Sequence, residues 1–424
     1  MTQKTGIQHN QALFIQLLLQ VMLVGLTIGM TRTVIPVLAE SEFGLATNDF
    51  LLLSTFVIAF GVVKGGLNFI AGHWSERIGR KPVLIIGWLC ALPIPVIIWW
   101  APSWDWIVAA TLLLGVNQGL TWSMSQTAKL DIAHAGERGV AIGLNELAGY
   151  VGVALAGVIT AYLATSLGPR EGLLLFGLIV IILALGLSLF AIDETYQGAT
   201  QIGASSTTNS LSVRCVFRRV SWGDKRLFAV TQAGLVEKFV DALVWLLYPL
   251  FLINQGVTLE SASWIIAIYG IVWGGSQLFT GRLSDRIGRH KPNITGMLIC
   301  GSGVGLMLLA QTPTSWAICA AITGFGMALL YPNLSAAIAD IADPAWRGSA
   351  IGVYRFWRDL GYAIGALLIG LTAHLSGQIE AAFLLVAFCM ALSALILILW
   401  GEESHPESHT MTMASNAKQS SNCN

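Results

Sequence analysis

The sequence predicts an all-α membrane protein with twelve transmembrane helices in two pseudo-symmetric six-helix bundles. Three observations carry that prediction. Hydrophobic residues make up 55% of the 424 and charged residues only 11%, with a mean hydropathy of +0.70; a soluble domain carries roughly 25% charged residues. The apolar residues gather into twelve runs, each close to the roughly 20 residues that cross about 30 Å of hydrocarbon. One basic loop also occurs twice. Gly72-His73-Trp74-Ser75-Glu76-Arg77-Ile78-Gly79-Arg80-Lys81-Pro82 returns as Gly281-Arg282-Leu283-Ser284-Asp285-Arg286-Ile287-Gly288-Arg289-His290-Lys291-Pro292, with the first glycines 209 residues apart.

Taken in order, the first run, Leu13–Leu38, follows the polar Met1 to Asn10 and has no cleavage site behind it, so it reads as a span and not a signal peptide. Phe50–Ala71 leads into the first basic loop, and Val83–Trp100 leaves it. Trp106–Leu130, Val140–Thr165 and Leu173–Ile192 complete the first six, giving an N-terminal bundle over 1–193. Residues 194–226 form a linker with a Ser/Thr/Gly-rich centre and a basic end (Arg214, Arg218, Arg219, Lys225, Arg226). Leu227–Ile253, Trp264–Thr280, Ile294–Ala310, Trp316–Ile341, Ala350–His374 and Ala381–Trp400 make the C-terminal bundle over 227–400. The polar tail, 401–424, has the composition of a disordered segment.

Charge sets the orientation. Lys4, both repeated loops, Arg138, the linker, Arg347 and Lys418 fall on one side of this map. The opposite loops hold Arg170 beside Glu40, Glu42, Asp49, Asp105 and Glu260. The positive-inside rule then places both termini and the linker in the cytoplasm of a plasma (bacterial inner) membrane. A net charge of zero argues against a nucleic-acid partner. The six cysteines (Cys90, Cys215, Cys300, Cys319, Cys389, Cys423) show no zinc-ligand spacing and read as thiols. No metal or cofactor is expected. There is no H-E-x-x-H, Walker loop or nucleophile elbow, so the chain reads as a non-enzyme without ATP-driven pumping of its own.

The 209-residue offset extends past the loop. Gly25 maps to Gly234, Gly65-Gly66 to Gly274-Gly275, Asp131 to Asp340, Arg138-Gly139 to Arg347-Gly348 and Gly143 to Gly352, as expected of a duplicated six-helix unit. Within the loop, Gly72 and Gly281 permit close helix contact, and Gly79 and Gly288 a tight turn. Glu76 and Asp285 can accept from donors at a helix N-terminus or pair with an arginine. Arg77, Arg80, Arg286 and Arg289 suit an anionic membrane surface.

Two such loops within twelve spans resemble the major facilitator superfamily, whose signature is similar to G-x-x-x-D-R-x-G-R-[KR]. The Arg-Gly steps after spans four and ten and Asp193-Glu194-Thr195 extend the resemblance over nearly the whole chain. The first copy departs from it in carrying Glu76 where aspartate is usual. The resemblance implies a monomer that transports by alternating access, with the loops acting as a cytoplasmic latch; membrane anchoring by the same loops is the alternative. It implies a structural place in that network for Asp131 and Asp340.

An ionised group at mid-bilayer costs roughly 2.5–3.5 kcal/mol, so each needs a partner or a wet cavity. The deep ones are Arg32, Lys64, Glu146, Glu237, Lys238, Asp241, Arg355, Arg358 and Asp359. The offset maps Arg32 onto Asp241 and Glu146 onto Arg355, opposite charges that can face each other across a two-fold axis. Snorkelling of Arg32 to the outer surface is the alternative. Helical spacing predicts stripes of Arg355, Arg358, Asp359 and Tyr362; of Glu237, Asp241 and Tyr248 with Lys238; of Gln118, Trp122, Ser125, Gln126 and Lys129; and of Glu146 and Tyr150 next to Asn145. Such stripes should line a substrate and proton path. No histidine lies mid-span, so proton coupling rests on carboxylates, whose neutral form burial favours.

The function these features imply is secondary active transport of a small organic solute, proton-coupled, with export preferred. Two features weaken the antiporter comparison: Gly115 stands near the place of an arginine in span four, and Tyr150 to Gly157 lacks a proline. An importer of a small organic anion is the alternative. A membrane sensor or scaffold is the other class, for which the short linker and tail offer no signalling domain.

Overall fold

In a computed structural model, the described residues are 6–45, 49–134, 137–196, 212–343 and 346–404. Lys4, Lys418, the centre of the linker and the tail beyond 404 lie outside them, as do the side chains of Arg138 and Asp285. The described residues are helical almost throughout. The first half holds α1 (Gln11–Phe43), α2 (Phe50–Ile78), α3 (Arg80–Ala91), α4 (Pro93–Trp100), α5 (Trp104–Ile132), α6 (Arg138–Leu167) and α7 (Pro169–Phe190). A short α8 (Val213–Arg218) follows. The second half holds α9 (Lys225–Leu246), α10 (Tyr248–Asn254), α11 (Leu259–Ile287), α12 (His290–Leu306), α13 (Pro313–Ile341), α14 (Arg347–Ser376) and α15 (Ile379–Trp400).

Among the described residues these helices make twelve passes, because α3–α4 and α9–α10 are each one pass broken in the middle. Leu92 ends α3 where Pro93 and Pro95 cannot extend it, and Leu247 interrupts the seventh pass before Pro249. Ten helical stretches among the described residues are long and apolar enough to cross a membrane. The seventh pass falls outside that set because Glu237, Lys238 and Asp241 crowd into α9. The ninth, α12, falls short with 17 residues, about 26 Å at 1.5 Å per residue. Large apolar side chains face outward around the molecule, Phe190, Leu375 and Phe279 among the most exposed. Lipid is the solvent that accepts such a surface.

The two halves meet along two seams, α2 against α14 and α6 against α11. A shift of 209 residues turns α2 into α11 and α6 into α14, so the seams are images of each other. Below α14, the segment after α8 packs through Trp357, whose Nε1 donates to Ser221 Oγ at 2.8 Å. Asp224 caps α9 by accepting from the N–H of Arg226 at 3.0 Å. Burial pushes the Asp224 carboxyl up, but the bonds from Arg226 and Leu227 outweigh it and hold the group below its ordinary range.

One face of the molecule gathers the basic loops and both described chain ends. Its opposite is acidic. The single basic residue expected there, Arg170, is neutralised by Glu42 at 2.7 Å and donates to the carbonyls of Trp99 and Ala101.

The repeated loop folds the same way twice. Gly79 and Gly288 adopt φ of 97° and 90°, the region glycine tolerates without strain, and so make the expected tight turn. The acid that caps the next helix comes from outside the loop, however. Glu194 accepts from the N–H of Arg80 at 2.9 Å and of Lys81 at 3.1 Å; Glu403 accepts from those of Arg289 at 2.7 Å and His290 at 3.1 Å. Arg80 then reaches Asp131 at 3.1 Å and Ser75 at 2.5 Å, while Arg289 reaches Asp340 at 3.3 Å and Ser284 at 2.6 Å. Every member of one network maps onto the other by the 209 shift. Glu76, Arg77 and Arg286 are exposed. Gly72 and Gly281 face open space, so the close helix contact expected at them does not occur in this conformation.

A carboxylate on the first N–H groups of a helix stabilises it by about 1 kcal/mol. Glu194→Ala and Glu403→Ala should therefore lower stability by similar amounts, read as thermal midpoints of the purified protein. A large asymmetry between them would mean that the two networks are not equivalent.

Candidate functional site: a charged chamber between the halves

The expectation that buried charges meet at the seam is met by the geometry around Arg32. This residue lies about 31 Å along α1 from Gln11, at 1.5 Å per residue, yet is only 3% exposed. It does not snorkel. Its Nη1 and Nη2 donate to Asp241 Oδ1 at 2.5 Å and Oδ2 at 2.9 Å, a fork that joins α1 of one half to α9 of the other. Asp241 also accepts from the Tyr269 hydroxyl at 3.3 Å and from that of Tyr362. Four donors on one buried carboxylate compensate its desolvation.

Above this pair the acidic side is shut. Trp245 sits among Phe56, Phe60 and Tyr362 with ring centroids 5.6, 4.8 and 6.4 Å away, and its Nε1 donates to the Thr31 carbonyl at 3.3 Å. The α2–α14 seam is tight enough there that a Cβ on Gly61 would lie 2.5 Å from the Ala363 nitrogen. On the basic side a cleft of about 680 Å³ runs between α6, α11 and α13 to Arg282 and Arg289. That volume suits a small organic molecule. Its deep end, at Gln126, Tyr331, Arg355 and Arg358, is also the wall of a central chamber with room for about 30 Å³.

Five cations line that chamber, Arg32, Lys64, Lys238, Arg355 and Arg358, against one carboxylate, Asp359. Asp359 accepts from its neighbour Arg358 at 3.1 Å and, across the seam, from Asn68. Arg355 donates across the seam to Gln126 at 2.7 Å. Lys64 and Lys238 are held differently. The Lys64 ammonium faces Phe60, Trp122 and Tyr362 at 5.4, 5.8 and 5.3 Å. That of Lys238 faces Trp273, Tyr331 and Tyr362 at 4.7, 5.0 and 5.5 Å. Such cation–ring contacts hold by about 0.5–2 kcal/mol, less than a buried ion pair that must be broken outright.

Several expected site residues lie elsewhere. Glu146 does not pair with Arg355. Its Oε1 accepts from Asn145 at 2.8 Å and Trp122 at 3.2 Å, and Arg355 has turned to α5 instead. Gln118 is fully buried and donates to the Val24 carbonyl at 2.9 Å and Thr27 at 3.0 Å, a cross-link of α5 to α1. Lys129 likewise donates to the Leu17 carbonyl at 2.7 Å. Glu237 is buried inside the second half, 3.5 Å from Lys238 Nζ but outside hydrogen-bond geometry. Tyr248 leaves the Glu237–Asp241 stripe because the break at Leu247 resets the helical phase, and it stacks on Phe383 at 5.2 Å. Trp122, Gln126, Lys238, Arg358, Asp359 and Tyr362 do converge, joined by Asn68, Trp273, Tyr269 and Tyr331, which sequence reasoning passed over. A signal for most of these existed. Phe60, Lys64 and Asn68 recur at i+4 on α2, and the 209 shift turns them into Tyr269, Trp273 and Gln277 on α11.

Comparison with known proteins agrees with this architecture. The chain is 26% identical to a probable 4-methylmuconolactone transporter of Cupriavidus pinatubonensis, over 84% of this chain and 83% of that one. It is 24% identical to an uncharacterized MFS-type transporter of Salmonella typhimurium, over 88% and 92%. Among solved structures it resembles a D-xylose-proton symporter (TM-score 0.74, 17% identity, 93% and 98% covered) and a nucleoside transporter (TM-score 0.73, 14% identity, 92% and 100% covered). The profile of the Major Facilitator Superfamily matches residues 17–236 and again 230–418, one match for each half. With twelve passes, an internal two-fold repeat and a cleft between the halves, the chain belongs to the Major Facilitator Superfamily of membrane transporters.

Proposed function

We propose that this transporter moves a small organic anion by alternating access, coupled to protons. The observation that carries the reading is the chamber wall, five cations against Asp359 in the wall and Asp241 and Glu237 just behind it. An excess of positive charge in a low-dielectric site is relieved by an anionic ligand. The conformation described is open toward the basic face and closed at Trp245. In the cycle, protonation of Asp241 releases Arg32, the seam above it loosens, and the substrate's anionic group takes part of the freed charge. The name of the 4-methylmuconolactone relative supports an organic solute of this size.

The same proposal assigns residues 1–193 and 227–400 to the moving bundles and 194–226 to a linker. It places the basic face in the cytoplasm of a bacterial inner membrane, with the protein acting as a monomer. Glu76, Arg77, Asp285 and Arg286 are the latch that engages once the basic face closes. In the present state both loop networks stay within their own halves, which agrees with a disengaged latch.

Proteoliposomes test it. Accumulation of a radiolabelled organic acid under an imposed pH gradient should collapse with a protonophore. Uptake that only follows the solute's own gradient would reduce the protein to a facilitator. The sign of the pH gradient that drives accumulation separates efflux, preferred on sequence grounds, from uptake.

A further inference from the structure

We propose that the chamber takes a flat, unsaturated or aromatic carboxylate, bound by Lys64 and Lys238, one lysine from each half. The proposal rests on the organic-anion reading and narrows it. Of the five lining cations, Arg32, Arg358 and Arg355 already donate to Asp241, Asp359 and Gln126. The lysines are the exchangeable pair. Lys64 makes no hydrogen bond or ion pair among the described residues; three ring faces hold it. Lys238 Nζ, on a side chain 2% exposed, is ion-paired with Glu237 at 3.5 Å but has no hydrogen-bond acceptor. It too rests on rings.

A carboxylate holds an ammonium more strongly than a ring does, so an arriving anion draws both lysines onto its oxygens. The Tyr362 ring lies beside both, its centroid 5.3 and 5.5 Å from the two nitrogens, and in the proposed site one anionic group bridges them there. Their departure makes room in a chamber that has little. It also bares the faces of Trp122 and Tyr331, two rings of the chamber wall, on which a flat π-system stacks better than a puckered saturated ring.

Calorimetry on the full chain in nanodiscs, with benzoate, cyclohexanecarboxylate and benzamide, tests this. Benzoate should bind about tenfold more tightly than cyclohexanecarboxylate, about 1.4 kcal/mol, and benzamide should not bind. Lys64→Gln and Lys238→Gln should each weaken benzoate by about tenfold or more, with Lys64→Arg recovering part of the loss and thermal unfolding reporting that each variant is folded. Equal affinity for the two carboxylates overturns the flat-body proposal and leaves the organic-anion reading standing. Benzamide binding as well as benzoate overturns that reading itself. Benzoate affinity unmoved by both glutamine variants, or no benzoate binding up to its solubility, overturns the lysine site.

Discussion

Asp241→Asn should abolish pH-driven accumulation while substrate exchange across the membrane continues. The carboxylate holds Arg32 through two charge-assisted bonds at 2.5 and 2.9 Å, and both side chains are buried. Asparagine keeps the shape but accepts at one atom where the carboxylate accepts at two, so it loses the Arg32 fork together with the charge and the titration. Breaking one side of a buried pair costs about 3–5 kcal/mol, because the remaining ion is uncompensated. The closed acidic side should therefore open more readily. Coupling should vanish, because no proton is needed any longer to free Arg32. Counterflow, which moves one labelled molecule for one unlabelled, needs no net proton movement and should survive. Reversing the pair, Arg32→Asp with Asp241→Arg, should recover part of what either single reversal loses. An Asp241→Asn protein with an unchanged pH profile would remove this residue from the coupling path.

Gly61→Ala should shift the protein toward a state open on the acidic side. The added Cβ would stand 2.5 Å from the Ala363 nitrogen and 2.8 Å from Tyr362 Cβ, distances that α2 and α14 cannot keep. Overpacking of this kind costs about 1–3 kcal/mol, roughly a five- to 150-fold change in the balance of two states. The cost falls on the closed seam alone, so the population moves and the fold stays. Spin labels at Leu52 and Leu375, exposed residues near the acidic ends of α2 and α14, should show a longer distance. Gly66→Ala, which meets nothing within 4 Å, is the matched control. An unchanged distance in Gly61→Ala would mean that the seam yields without opening.

The fold was legible because lipid leaves few options. Apolar runs of spanning length, a one-sided distribution of arginine and lysine and a loop repeated in register together specify two bundles. Buried charges were legible for the same reason, since their cost marks them for the seam. Pairing was legible only in part. The repeat shift tells which positions are equivalent, and equivalence predicted contact for Arg32 and Asp241. It predicted contact for Glu146 and Arg355 as well, and that contact is not formed, because a guanidinium on a long stem can reach a different helix and found Gln126 on α5. The aromatic rings around Lys64 and Lys238 were hidden because aromatic residues in an apolar span carry no anomaly of their own. Helix breaks at Leu92 and Leu247 had a signal in Pro93, Pro95 and Pro249, which the continuous apolar runs across them overrode.

Arg32 and Asp241 are separated along the chain by the length of the repeat itself. In a dimer of two identical subunits, a residue on the two-fold axis meets its own copy. Arginine would then face arginine, or aspartate its twin, and the contact would repel. This bond between unlike partners requires two copies that have diverged, as the two halves of this chain have. Neither half, paired with itself, could form it.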